Sequence, residues 1–193
     1  MSHLSKPILM IHEFKEEFLD LPLEDFILTF DDGLYSQYKY LKELKALKTP
    51  KVFFISTNLV RPPQMAPSDE FLACGKAHEK AFNGNLENYM SWDEITEIYK
   101  SPWCEIGGHG HNHLRLEDID SIRERYNAIA KDTEAMLTEF NNHNIAIKSF
   151  CYPYNNEDPL LGGVLKRKGI EFIYGNTVQY LNTNRIAIEE LEK

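Results

Sequence analysis

The chain alternates short apolar runs with amphipathic stretches. Residues 26–30 are aromatic, aliphatic or β-branched and are closed by Asp31, Asp32 and Gly33, which predicts a buried strand ending in a tight turn. Tyr35, Tyr38, Leu41 and Leu44 follow at the spacing of a helix face, and residues 52–55 predict a second buried strand after the breaker Pro50. Strand, helix and strand joined by short connections imply parallel strands. Further on, Ser91 stands three residues before Glu94, the capping-box arrangement, and starts a helix running to about Lys100. Residues 104–106 predict the next strand. Ile122, Tyr126, Ile129, Thr133, Met136, Leu137 and Phe140 recur at helical spacing and predict a long helix over 120–140. Residues 149–152, ended by Pro153, predict a strand, a helix over 160–168 stops at Gly169, and residues 171–174 and 185–188 predict the last strands. Repeated strand-helix units of this kind point to a barrel or to an open parallel sheet.

The alternation is lost between residues 61 and 90, where Pro62, Pro63, Pro67, Gly75, Gly84 and several Asn interrupt it. An irregular insertion is expected there, within a single domain spanning 1–193. At 193 residues, 42% hydrophobic and 12% aromatic, the chain has enough apolar material to build a core without disulfides. Its 21 basic and 30 acidic residues leave a formal charge of -9, and no basic run is interleaved with aromatics, which argues against a nucleic-acid partner. The apolar run from Pro7 to Ile11 is cut off by His12 and Glu13, far short of the roughly 20 residues of a transmembrane span and of a secretory signal's apolar region. Cys74, Cys104 and Cys151 include no closely spaced pair and suit a reducing compartment, so a cytoplasmic location is expected.

Two clusters carry chemistry. Asp31 and Asp32 follow a strand and precede a glycine, so two carboxylates are held at a strand end, where barrels keep their active sites. Neighbouring side chains on a strand point in opposite directions, which lets one bind a cation while the other acts as a base. Taken alone, the same residues also make an ordinary turn. His109, His111 and His113 fall within five residues on a glycine-flanked segment directly after a strand. Imidazole is a preferred ligand of zinc and similar ions, and the glycines suggest a backbone packed close to its surroundings. A helical turn would bring His109 and His113 onto one face; an extended segment would align all three. Two histidines and a carboxylate leave open positions for water and a substrate carbonyl, the arrangement of catalytic zinc sites. Cys74 and His78 are spaced like a metal pair but lie in the irregular segment, where a structural role is expected. Trp92, Trp103, Tyr35, Tyr38 and Tyr40 read as packing residues.

These motifs resemble those of the polysaccharide deacetylases, the NodB-homology family. Residues 29–33 are similar to the family's first motif, residues 105–113 to its second, and residues 150–154 to its third, in the same order along most of the chain. The resemblance implies a distorted (β/α) barrel and one divalent metal ion, zinc being expected, bound by Asp32, His109 and His113. It further implies Asp31 as general base, the backbone N–H of Tyr154 as the oxyanion donor, and His111 outside the ligand set. The implied substrate is an N-acetylated sugar or glycan precursor used in building a surface polysaccharide.

The sequence also departs from the family pattern. Cys151 stands where the resemblance implies an arginine that tunes the catalytic Asp, and no histidine follows His143 to serve in the family's late general-acid motif. Residues 8–12 resemble the strand-plus-histidine that opens circularly permuted members, which nominates His12 as the acid. Two other functions fit parts of the pattern: an amidohydrolase-type metal hydrolase, which requires further ligands at later strands, and a catalytically impaired sugar-binding relative that keeps the metal site.

Overall fold

The computed structural model describes residues 6–178 and 183–191. Its strands are β1 (Ile8–Ile11), β2 (Ile27–Phe30), β3 (Lys51–Ile55), β4 (Cys104–Gly108), β5 (Ser149–Cys151), β6 (Phe172–Tyr174), β7 (Thr177–Val178) and β8 (Thr183–Ala187). The helices are α1 (Tyr35–Lys39), α2 (Leu41–Ala46), α3 (Cys74–Phe82), α4 (Trp92–Tyr99), α5 (Ile122–Asn142) and α6 (Pro159–Arg167). Strands β1 to β6 pair in sequence order and in parallel, and β8 closes the ring by pairing in parallel with β1. The short β7 runs antiparallel to both of its neighbours, and β4 meets β5 at the single pair Gly108 and Phe150. The barrel is therefore distorted, as the motif resemblance implies, and the choice between barrel and open sheet falls to the barrel.

Strand parity explains how these residues fill it. Ile8, Val52, Phe54, Cys151 and Tyr174 form one buried cluster made of strand residues alone, which is the barrel interior. Their strand neighbours Leu9, Phe53, Ile55, Phe150 and Ile173 belong to a larger cluster that takes in Leu44, Ile95, Ile98, Ile129, Met136, Phe140 and Leu165 from the helices. Successive side chains thus alternate between the barrel interior and the strand-helix layer. Gly107 belongs to the inward set: a Cβ there would lie 2.6 Å from the Phe54 ring and 3.0 Å from the Ser149 carbonyl.

Local signals hold where they rest on backbone chemistry. Ser91 and Glu94 make both halves of the capping box at the head of α4. Asp158 caps α6 by accepting from the backbone N–H groups of Leu160 and Leu161, with Pro159 opening the helix and Gly169 beyond its end in the left-handed region at φ 88°. The expected helix after β2 is two short helices, α1 and α2, joined at Tyr40. The segment 61–90 holds α3, which the interrupted pattern did not anticipate. Its ends meet, since the Arg61 backbone N–H donates to Met90 O at 2.9 Å and the Arg61 side chain reaches Glu94 at 2.7 Å. Ala77 and Ala81 of α3 pack with Leu34, Leu59 and Tyr89 in a small core of their own. Among the described residues no helix is long and apolar enough to cross a membrane.

Candidate metal centre and catalytic groups

Four strand ends converge on one mouth of the barrel. His12 follows β1, Asp31 and Asp32 follow β2, His109 follows β4 and Tyr154 lies just beyond β5. These are the carboxyl ends of parallel strands, where the loops diverge and leave space for a ligand. The cavity there measures about 240 Å³ and is lined by these residues together with Cys74, His78, His113 and Asn155. Gln37 of α1 is fully buried and ties two of the strand ends together, its side-chain amide donating to the carbonyls of His12 at 2.5 Å and Asp31 at 2.6 Å.

Asp32 sits at φ 72°, followed by Gly33 at 77°, so two consecutive left-handed residues turn the chain sharply out of the strand. Non-glycine residues enter this region at a cost and cluster at functional sites. The turn brings Asp32 Oδ1 to 3.2 Å from Nε2 of each of three histidines, His78, His109 and His113. His109 Nε2 and His113 Nε2 are themselves 3.2 Å apart. The His109 ring is oriented by its Nδ1–H, which donates to the Cys151 carbonyl at 2.8 Å, leaving the Nε2 lone pair aimed at Asp32 and His113.

Lone pairs and a carboxylate so close repel one another unless a proton or a cation lies among them. Burial disfavours the charged forms of all these groups. Even so, hydrogen bonds from the histidines hold Asp32 well below the usual carboxylate range. Burial likewise opposes charge on His109, yet Asp32 raises its pKa well above the ordinary value, while burial pushes His113 down to about 4. The trio thus concentrates stabilisation for one positive charge. A divalent ion bonded at about 2.0–2.1 Å to tetrahedral donors would separate them by about 3.3 Å, close to the three 3.2 Å edges of Asp32, His109 and His113. The residues present fit a divalent cation.

His111 faces elsewhere. Its Nδ1 lies 2.8 Å from Thr57 Oγ1, and its backbone N–H donates to Asp132 Oδ2 at 2.8 Å. Asp132 also accepts from the Asn112 backbone at 2.9 Å, so this carboxylate of α5 moulds the histidine loop. The loop is neither helical nor extended: Gly110 at φ 79° and His113 at φ 51° turn it so that the outer two histidines meet. Asp132 shares the buried face of α5 with Ile129, Thr133, Met136 and Phe140. A carboxylate on a largely apolar helix face was the signal that could have found it.

Asp31 points into the barrel and is 1% exposed. Its partner is Arg185 of β8, whose Nη2 donates to Asp31 Oδ1 at 2.6 Å. The same guanidinium donates to Thr29 Oγ1 at 2.9 Å, to Cys151 Sγ at 2.9 Å and to Asn155 Oδ1 at 3.2 Å. Burial alone would raise the Asp31 pKa, but the charges of Arg185, His12 and His109 overcome it and hold the carboxyl below its ordinary value. The arginine missing at position 151 is thus supplied from β8, with Cys151 packed beneath it. The sequence signal was a lone arginine directly before the apolar residues Ile186, Ala187 and Ile188, in a segment read as a strand.

The structure also revises the expectation for His78 and Cys74. Both line the cavity, and His78 Nε2 approaches Asp32 as closely as do His109 and His113. Tyr154 adopts φ 58°, and its half-exposed ring stands edge-on to His113 at 4.5 Å with Arg115 stacked 4.1 Å above it.

Comparison with known proteins agrees with this fold. Among solved structures, the chain resembles IcaB from Ammonifex degensii (TM-score 0.68, 19% identity, 94% of this chain and 90% of that one). It also resembles the de-N-acetylase from Aggregatibacter actinomycetemcomitans (TM-score 0.68, 16% identity, 95% of both chains). A third likeness is the Streptococcus pyogenes deacetylase PplD in complex with acetate (TM-score 0.64, 14% identity, 94% of this chain and 91% of that one). At these identities the likeness is one of fold. A search of curated protein sequences returns no match. The family model for polysaccharide deacetylase matches residues 21–173, from before β2 into β6. With the motif-bearing strand ends of β2, β4 and β5 all inside that span, the chain belongs to the polysaccharide deacetylase family.

Proposed function

We propose that this protein hydrolyses the N-acetyl group of a sugar, with a single divalent ion, zinc by the chemistry of its donors, held by Asp32, His109 and His113. The observation that carries this reading is the 3.2 Å triangle of those three donors beside an Asp31 carboxylate locked by Arg185. When bound there, such an ion supplies Lewis-acid polarisation of the amide carbonyl and makes water a better nucleophile.

The remaining steps belong to the chain's own residues. Asp31 takes the proton of the attacking water as general base, and Arg185 keeps it ionised and correctly turned. The Tyr154 backbone N–H donates to the oxyanion of the tetrahedral intermediate. His12, which lines the same cavity as Asp31 and Asp32, donates the proton that lets the amine leave. Two absences in the sequence favoured an inert relative, the arginine at 151 and a late histidine; Arg185 and His12 supply both chemistries and support turnover instead. The amidohydrolase alternative has no support from the family match.

The test pairs elemental analysis of the purified protein with acetate release from a panel of N-acetylated sugars. About one divalent ion per chain, lost in Asp32→Ala and His113→Ala, together with acetate release, is the expected result. A protein that binds the ion and an acetylated sugar yet releases no acetate would be the inert relative.

A further inference from the structure

We infer that His78 is a fourth protein ligand of the ion, binding through Nε2 and delivered by α3 from the segment 61–90. This assignment rests on the metal site proposed above and adds to it a residue outside the three sequence motifs.

The placement is specific. His78 Nε2 lies 3.2 Å from Asp32 Oδ1, and ligand atoms of Asp32, His78 and His113 all fall within 4.8 Å of one another. The His78 and His113 rings stack with centroids 4.5 Å apart, so both imidazoles present their Nε2 edges to the same carboxylate oxygen. The other ring nitrogen, Nδ1, is 3.1 Å from the hydroxyl of Tyr89. Histidines that bind metals characteristically engage their second nitrogen in this way, which fixes ring orientation and tautomer. Tyr89 is itself 1% exposed and anchored in the small core with Ala77 and Ala81, the α3 residues that flank His78 one residue before and three after.

The segment that carries α3 is built to hold that position. Its ends are pinned together by Arg61, which donates to Tyr89 O at 3.0 Å and pairs with Glu94 at 2.7 Å, both partners lying beside the segment's closing residues. At the head of α3 the Cys74 backbone N–H donates to Glu13 Oε2 at 3.1 Å, tying the helix to the loop after β1. A histidine that only covered the site would need neither a buried tyrosine behind it nor a helix tied at its head to the loop after β1. With His78 bound, the ion holds three imidazoles and one carboxylate and keeps one fewer open position for substrate.

Cobalt(II) substitution reads the ligand set directly, because each bound imidazole contributes one strongly shifted, solvent-exchangeable ring N–H proton to the ¹H NMR spectrum. Three such signals are expected in the cobalt-loaded parent and two in His78→Gln. The variant should also bind cobalt more than about 100-fold more weakly in chelator competition, beyond the roughly 10–100-fold that loss of a merely orienting partner costs. Tyr89→Phe should retain three signals with an affinity loss inside that smaller range. Two signals in the parent, unchanged in His78→Gln, would overturn the assignment while leaving the Asp32, His109 and His113 site intact. A parent that binds no cobalt, like an Asp32→Ala control, would overturn the metal site and this ligand with it. The parent spectrum decides the matter even if a variant fails to fold.

Discussion

Arg185 and Asp31 stand 154 positions apart in sequence and meet at 2.6 Å inside the barrel, both all but inaccessible to water. Taking two charges out of water is costly, and their attraction repays the cost only while both are present. Arg185→Met should therefore destabilise the fold by about 3–5 kcal/mol, because it strands a buried carboxylate. Adding Asp31→Asn to that variant should recover most of the loss. Urea unfolding of the two single variants and the double variant measures the coupling, and simple additivity would show that the pair is not a unit.

Asp31 and Asp32 are adjacent yet are given different work. Asp31→Asn should lower acetate release by about 10²–10⁴-fold, the range for loss of a general base, with metal content unchanged. Asp32→Asn should lose the ion itself. Elemental analysis alongside the assay separates the two, and loss of metal from Asp31→Asn would reverse the roles.

The role given to His12 predicts dependence on the leaving group. His12→Gln should slow hydrolysis of N-acetyl sugars by about 10²–10⁴-fold, since an amine leaves only when protonated. An aryl acetate, whose phenolate leaves without a proton, should be hydrolysed by the variant at close to the parent rate. Equal losses on both substrates would remove His12 from proton donation.

Gly107 and Gly108 face opposite layers, and the difference should be measurable. A methyl at Gly107 meets the Phe54 ring and the Ser149 carbonyl, neither of which can move aside, whereas one at Gly108 meets the end of Met136. Gly107→Ala should cost about 1–3 kcal/mol, as overpacked cores do, and Gly108→Ala less, because a thioether can rotate away. Denaturation midpoints in urea would reveal the order, and equal costs would contradict the assigned packing.

Much of this protein was legible without coordinates, for reasons that can be named. Strands β2 to β6, the capping box at Ser91 and the stop at Gly169 follow from side-chain period and backbone chemistry, which act over a few residues. The paired carboxylates and the histidine run could be recognised because each is contiguous and ends a strand. Parallel pairing then carries strand ends to a common mouth, so Asp32, His109 and His113 meet much as the motifs implied.

What the sequence by itself determined was therefore most of the strands, the helices α4 to α6 and the residues at the strand ends. Only the tertiary structure decided which distant side chains complete the site. Arg185, His78, Asp132 and Gln37 come from β8, α3, α5 and α1, and none lies within the motifs that mark the cavity. Local patterns mark some of them, the carboxylate on the buried face of α5 and the arginine of β8 among them, but not their partners, because those depend on ring closure between β1 and β8, on the docking of a helix inside an irregular segment, and on the face each helix buries. Those outcomes are settled by packing between residues far apart along the chain, where a buried charge finds its partner only after the barrel has closed around it.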